Sequence, residues 1–237
     1  MKLKKLADII INEFKVKRND VVLAYISFSE INLTDASQQD AVYLLKMILG
    51  NNGTLIMHDL ADRHNHRYRE ISTENNSFTD PLFRDIEIFC KMPDPDTGTL
   101  FKEPFMVWGS LMNEISEKEK AGKDGLESGY LLDSLYQNSG KIIGMGVSRS
   151  SLSIINALYY LRLQRSAINQ NASLDHSVLD KGHAGIGPDF SKQDLFDARN
   201  CQEFTSKLIN QAYLSYKNEG IGYFMADIRS LYQKELQ

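Results

Sequence analysis

The side chains best suited to chemistry fall in a few short stretches. The densest is His58-Asp59-Leu60-Ala61-Asp62-Arg63-His64-Asn65-His66. Imidazoles and carboxylates this close together are metal-ligand types. Arg63, Arg67 and Arg69 stand in the same polar stretch and disfavour a divalent cation there, so His64 and His66 read as a solvated loop. His58 differs, because it closes an apolar run, and α/β proteins place functional groups at strand ends. Glu103, just before Pro104, and Asp59 are carboxylates that could orient an imidazole if the fold brings either one near.

A second stretch is Ser148-Arg149-Ser150-Ser151, between the apolar strand Ile142 to Val147 and the apolar helix Leu152 to Leu163. A helix N-terminus presents backbone N–H groups and partial positive charge, and Arg149 adds a full charge. Such a turn can receive a phosphate or a reacting oxygen; the same serines can equally act as helix caps. On that helix Ser153 and Asn156 share a face, able to bond a ligand or simply to satisfy each other in a packed interior. Cys90 and Cys201 form no CxxC and have no nearby His in a thiol-catalyst pattern, so they read as buried thiols of a reducing cytoplasm.

These residues need elements to hold them. Leu3, Leu6, Ile10 and Phe14 predict a helix over Lys2 to Val16. Val21 to Tyr25 predicts a buried strand, with Ser27, Ser29 and Asn32 in the loop after it. Asp35 to Leu49 predicts a helix, Asp35 its candidate cap, stopped by Gly50-Asn51-Asn52-Gly53. Thr54 to His58 is a second buried strand. Strand, helix, strand predicts a parallel pair. Asp59 to Asp80 reads as a polar flap or insertion. Pro81 to Cys90 fits strand and helix alike, and Lys91 to Gly98 reads as a loop. Phe105 to Trp108 is a short strand, Ser110 to Lys120 a helix, and Leu131 to Tyr136 a short apolar element. Asn169 to Gln193 is a polar excursion. Two closing helices follow, one marked by Cys201, Phe204, Leu208, Ala212 and Tyr216, the other by Phe224, Ile228 and Leu231.

Hydrophobic residues at 42% and charged residues at 24% are a globular rather than a disordered balance. The net charge of −4 argues against nucleic-acid or membrane-surface partners, which want basic patches. Asp8, Asn12 and Glu13 interrupt the first apolar run, so the N-terminus reads as a mature cytoplasmic start. No run approaches the ~18 apolar residues of a membrane span.

Three stretches resemble one family in order. Asn19-Asp20-Val21-Val22-Leu23 with Ser27 resembles the first strand and loop of the aminoglycoside 3-N-acetyltransferases. Gly53-Thr54-Leu55-Ile56-Met57 resembles that family's "GTLVMP" strand, and Lys141 to Val147 its "GKVLLLGV" strand. The likeness runs from about Ile9 to Leu163. It implies one α/β domain over residues 1–237, with a mixed, largely parallel central sheet flanked by helices. It also implies acetyl-CoA as acyl donor and a small-molecule amine, such as an amino sugar, as acceptor.

The family's helix pattern Thr-x-x-His-x-x-Glu stands here as Ser153, Asn156 and Tyr159, its "HSSL" as Tyr25 to Phe28, and its "RSxHP" block as Phe101 to Pro104 with Glu103 in the His position. The resemblance thus gives Ser27, Ser148, Arg149, Ser150, Ser151 and Ser153 to the donor, and Asn156 to the place of the family's base. His58 is the expected substitute base, with Glu103 or Asp59 as its carboxylate. The alternatives are a family member without activity that binds a small molecule or a protein, and, more distantly, a metal-dependent hydrolase on the 58–66 cluster.

Overall fold

The chain forms a seven-stranded mixed sheet covered by helices on both faces. The structure, a computed structural model, describes residues 1–59, 85–93, 100–121, 128–147, 154, 157–158, 213–218 and 221–235.

Strand β1 (Val21–Ile26) lies at the centre and is buried along its whole length. Both of its faces are covered, which is why VVLAYI shows no polar alternation. β2 (Thr54–Asp59) pairs parallel to it on one side and β5 (Lys141–Met145) on the other. The connection to β2 runs through a short helix α2 (Phe28–Ile31) and then α3 (Gln38–Leu49), with α1 (Leu3–Asp8) ahead of them all. Ser37 and Asp40 form a capping box at the start of α3, each bonding the other's backbone N–H. Asp35, expected as that cap, instead accepts the Leu3 backbone N–H at 2.8 Å. The helix expected over Lys2 to Val16 is α1 followed by a π-helical turn at Ile9–Glu13.

β4 (Leu100–Gly109) runs antiparallel to β2, and β3 (Ile86–Pro93) antiparallel to β4. On the other flank β7 (Ile221–Asp227) is antiparallel to β5, and β6 (Tyr213–Asn218) lies outermost. The order is β3-β4-β2-β1-β5-β7-β6. The sheet is therefore mixed as expected, with parallel pairing confined to β2, β1 and β5.

Three expectations need correcting. Tyr213 to Asp227 forms a strand pair rather than parts of two helices. Tyr223 and Phe224 are neighbours buried on opposite faces, and an apolar run covered on both sides carries no period that separates strand from helix. β3 extends through Lys91 to Pro93, taken above for loop; on an edge strand a proline costs no ladder bond on its open side. The short element at Leu131 is a full helix, α5 (Ser128–Gln137), after α4 (Met112–Ala121). The chain's last described helix is α6 (Ile228–Glu235).

Strand alternation sorts the interior into two cores. Tyr25, Ile56, Cys90, Phe105, Val107, Ile142 and Phe224 face one side, where Ile115, Leu132, Leu135, Ile154 and Leu231 cover them. Val22, Ala24, Leu55, Met57, Trp108 and Met145 face the other, under Leu6, Ile10, Phe14, Leu45 and Leu49. On this second side Lys46 of α3 is buried, with Nζ 2.6 Å from Asp85 Oδ1 and 5.6 Å from the Trp108 ring centre. Burial raises the Asp85 carboxyl above its ordinary range, and the Lys46 charge opposes that rise. Among the described residues no helix is long and apolar enough to cross a membrane.

Candidate active site

The three parallel strands end side by side. Tyr25 pairs in register with His58 on β2 and with Gly144 on β5. The chain leaves β1 for β2 on one side, and β5 later docks on the other. Strand order thus reverses at β1, and open α/β sheets bind ligands at such a switch, beyond the carboxyl ends of the strands. Ser27 sits there, 7% exposed, its N–H bonded to Met145 O at 2.9 Å and its Oγ 3.1 Å from Ser29 Oγ. Gly146 has φ +68, and a Cβ on it would stand 2.9 Å from Glu30 Cβ and 3.1 Å from Ser27 O. The close approach of the two strand ends needs glycine there.

His58 shares a face with Ile56, two residues earlier on β2, and so points into the first core. Glu103, on β4, points the same way as Phe105 and Val107. Their side chains meet: His58 Nε2 lies 2.8 Å from Glu103 Oε1, at 4% and 3% exposure. The Tyr25 and Phe105 rings flank the imidazole, at 5.3 and 5.1 Å between centres. Because a carboxylate only accepts, the Nε2 proton lies in this bond, and neutral His58 carries its lone pair on Nδ1.

Two atoms of the pair lack partners. His58 Nδ1 and Glu103 Oε2 are buried with no hydrogen bond among the described residues. Each such atom costs about 1–3 kcal/mol. Replacing a buried ion pair by apolar side chains is often neutral or stabilising by about 1–4 kcal/mol. Stability alone therefore favours an apolar pair at these two positions. A basic nitrogen oriented by a carboxylate and left open on its other side is the arrangement of a general base. With Nδ1 and Oε2 both acceptors, whatever completes the site brings N–H or O–H donors.

Tyr25 adds a link that the sequence reading passed over. Its ring is fully buried and its hydroxyl oxygen accepts the backbone N–H of Ile154 at 3.2 Å. Ile154, Ala157 and Leu158 are helical and buried against the same core. The parity of β1 could have shown Tyr25, since the residue opposite His58 in a parallel pair lies on its face. Cys90, opposite Glu103 on β3, is buried as expected.

Of the expected site residues, His58 and Glu103 are brought together, and Ser27 lies at the switch point. Ser148, Arg149, Ser150, Ser151, Ser153 and Asn156 fall outside the described residues, as do His64, His66 and Cys201. Among the described residues no group of three or more His, Cys, Asp or Glu side chains could hold a metal.

The fold has solved counterparts. The chain is similar to the crystal structure of aminoglycoside acetyltransferase AAC(3)-IIb, at TM-score 0.57 and 10% identity over 98% of this chain and 94% of that one. It is similar to AAC-VIa bound to sisomicin, at 0.54 and 12%, over 98% and 95%. It is also similar to AAC-IIIb in a binary complex with CoASH, at 0.52 and 14%, over 98% and 94%. The chain thus has the aminoglycoside acetyltransferase fold. No protein-family model and no curated protein sequence matches it.

Proposed function

We propose that the chain is an N-acyltransferase that moves an acetyl group from acetyl-CoA to an amine of a small molecule, with His58 as general base and Glu103 as the carboxylate that orients it. The observation that carries this reading is the buried 2.8 Å contact between them, with Nδ1 left open. The fold supports it, since one solved counterpart holds CoASH and another sisomicin.

In this reaction the amine nitrogen attacks the thioester carbonyl carbon, and its proton passes to His58 Nδ1. The C–S bond then breaks, and the CoA thiolate leaves and takes a proton back from the imidazolium. Glu103 holds the ring on the correct tautomer and stabilises its charged form. The donor belongs at the switch point beside Ser27, with Ser148, Arg149, Ser150, Ser151 and Ser153 as its remaining partners. Asn156 is neutral at the position of the family's base and can bond the acceptor without taking its proton.

A second reading is favoured by Asn156 and Tyr159, which replace the family's His and Glu. In it the chain binds a small molecule or a protein without turnover. One series of measurements separates the two. The first reading expects saturable CoA binding by calorimetry, weakened in Arg149→Ala, and thiol release from acetyl-CoA that depends on an amine and is lost in His58→Ala. CoA binding with no turnover across a panel of amino sugars and simple amines leaves the second. No binding at millimolar CoA rejects the first outright.

A further inference from the structure

We infer that Tyr25 is a positioning residue that couples the His58–Glu103 pair to the start of the helix after β5, and hence to the turn that receives the donor. The inference rests on the acyltransfer reading above.

Tyr25 touches both halves of the site. Its ring stands 5.3 Å from the His58 ring, tilted by 40°. Its hydroxyl oxygen holds the Ile154 amide at 3.2 Å, across 129 residues of sequence. An amide that gives its hydrogen to a side chain lies outside the i→i−4 ladder, as the leading amides of a helix do. Ile154 directly follows Ser153, the last residue assigned to the donor.

The phenol is an expensive choice for packing alone. Tyr25 is 0% exposed in an apolar core, where a phenylalanine would fill almost the same space with no hydroxyl to desolvate. The hydroxyl fixes a backbone, and that backbone leads the donor turn. The distance between the attacking amine and the thioester carbon then depends on one rigid side chain. About 1 Å of misplacement there is enough to cost on the order of 100-fold in rate.

The test is titration of the full-length chain with CoA, followed by calorimetry, for the wild type, Tyr25→Phe and Ser37→Ala. Tyr25→Phe keeps the ring beside His58 and removes the atom that holds Ile154. Ser37→Ala loses a helix cap outside the site and serves as the stability control. The expected result is a Kd raised roughly three- to tenfold in Tyr25→Phe, and a Kd unchanged in Ser37→Ala despite a lower Tm. Long-range 15N spectra of the His58 ring are expected to keep the wild-type tautomer in Tyr25→Phe, which shows that the pair itself survives. Equal Kd values in the wild type and Tyr25→Phe overturn the inference and leave the acyltransfer reading standing. A parallel loss in Ser37→Ala overturns it too, as a stability effect. No CoA binding by the wild type overturns both.

Discussion

His58 and Glu103 come from strands of opposite direction, β2 and β4, and their side chains meet at 2.8 Å on the same face of the sheet. The pair sets the first prediction. Glu103→Gln keeps the size of the side chain and removes its charge, so the imidazolium formed on proton transfer loses its counter-charge. We expect the amine-dependent rate to fall by roughly 10²- to 10⁴-fold with the Kd for CoA unchanged. His58→Ala leaves Glu103 buried without a partner among the described residues, and is expected to cost about 3–5 kcal/mol in urea unfolding.

The clamp on the opposite face gives the second. Lys46 holds Asp85 at 2.6 Å, ahead of β3. Lys46→Met leaves the carboxyl without its charge partner and is expected to destabilise by about 3–5 kcal/mol, whereas Lys46→Met with Asp85→Leu recovers most of the loss. The pH dependence has a definite sign. A carboxyl with a raised folded pKa contributes stability that is full below its unfolded pKa and is lost as pH rises through the folded one. Without Lys46 the rise is larger, so unfolding free energy should fall more steeply from acid to neutral pH in Lys46→Met than in the wild type.

Ser37 supplies the third. Its hydrogen bonds hold the Asp40 carboxyl below its ordinary range. A depressed carboxyl contributes stability that is full above its unfolded pKa and is lost as pH falls through the folded one. Ser37→Ala is expected to lower Tm by roughly 2–4 °C at neutral pH. Calorimetric scans should show that difference narrowing toward strongly acid pH.

The fourth concerns Gly109, which ends β4 at φ +107. A Cβ there would stand 2.0 Å from Gly53 O, a backbone atom with no room to yield. Gly109→Ala is expected to destabilise by more than about 2 kcal/mol. It should also weaken activity, because Gly53 leads into β2 and β4 carries Glu103. An alanine accepted with an unchanged Tm would mean that this junction is looser than its geometry.

Much of the frame was legible in the residues. Val21 to Tyr25 and Thr54 to His58 are continuous apolar runs around a helix with a glycine stop, and they form the parallel pair they predict. His58 and Glu103 were legible as types, one at a strand end and one before a proline. Their meeting was not, because it depends on the register between β2 and β4, which sequence spacing does not carry. β6 and β7 were misread for a related reason, since strands covered on both faces lose the alternation that marks a strand. Tyr25 was passed over because a tyrosine in an apolar run reads as core, and its hydroxyl acquires meaning only from Ile154.

The order of strands across the sheet also bears on how the protein comes to be active. Tyr25, His58, Glu103 and Ile154 stand on separate elements, and the link from Tyr25 to Ile154 closes a loop of 129 residues. Contacts so distant along the chain form late, after the loop-closure entropy has been met. No fragment carrying one or two of these strands holds a partial site. In refolding, helical signal should return ahead of CoA binding, and the interval between them measures the time the central strands take to find their order.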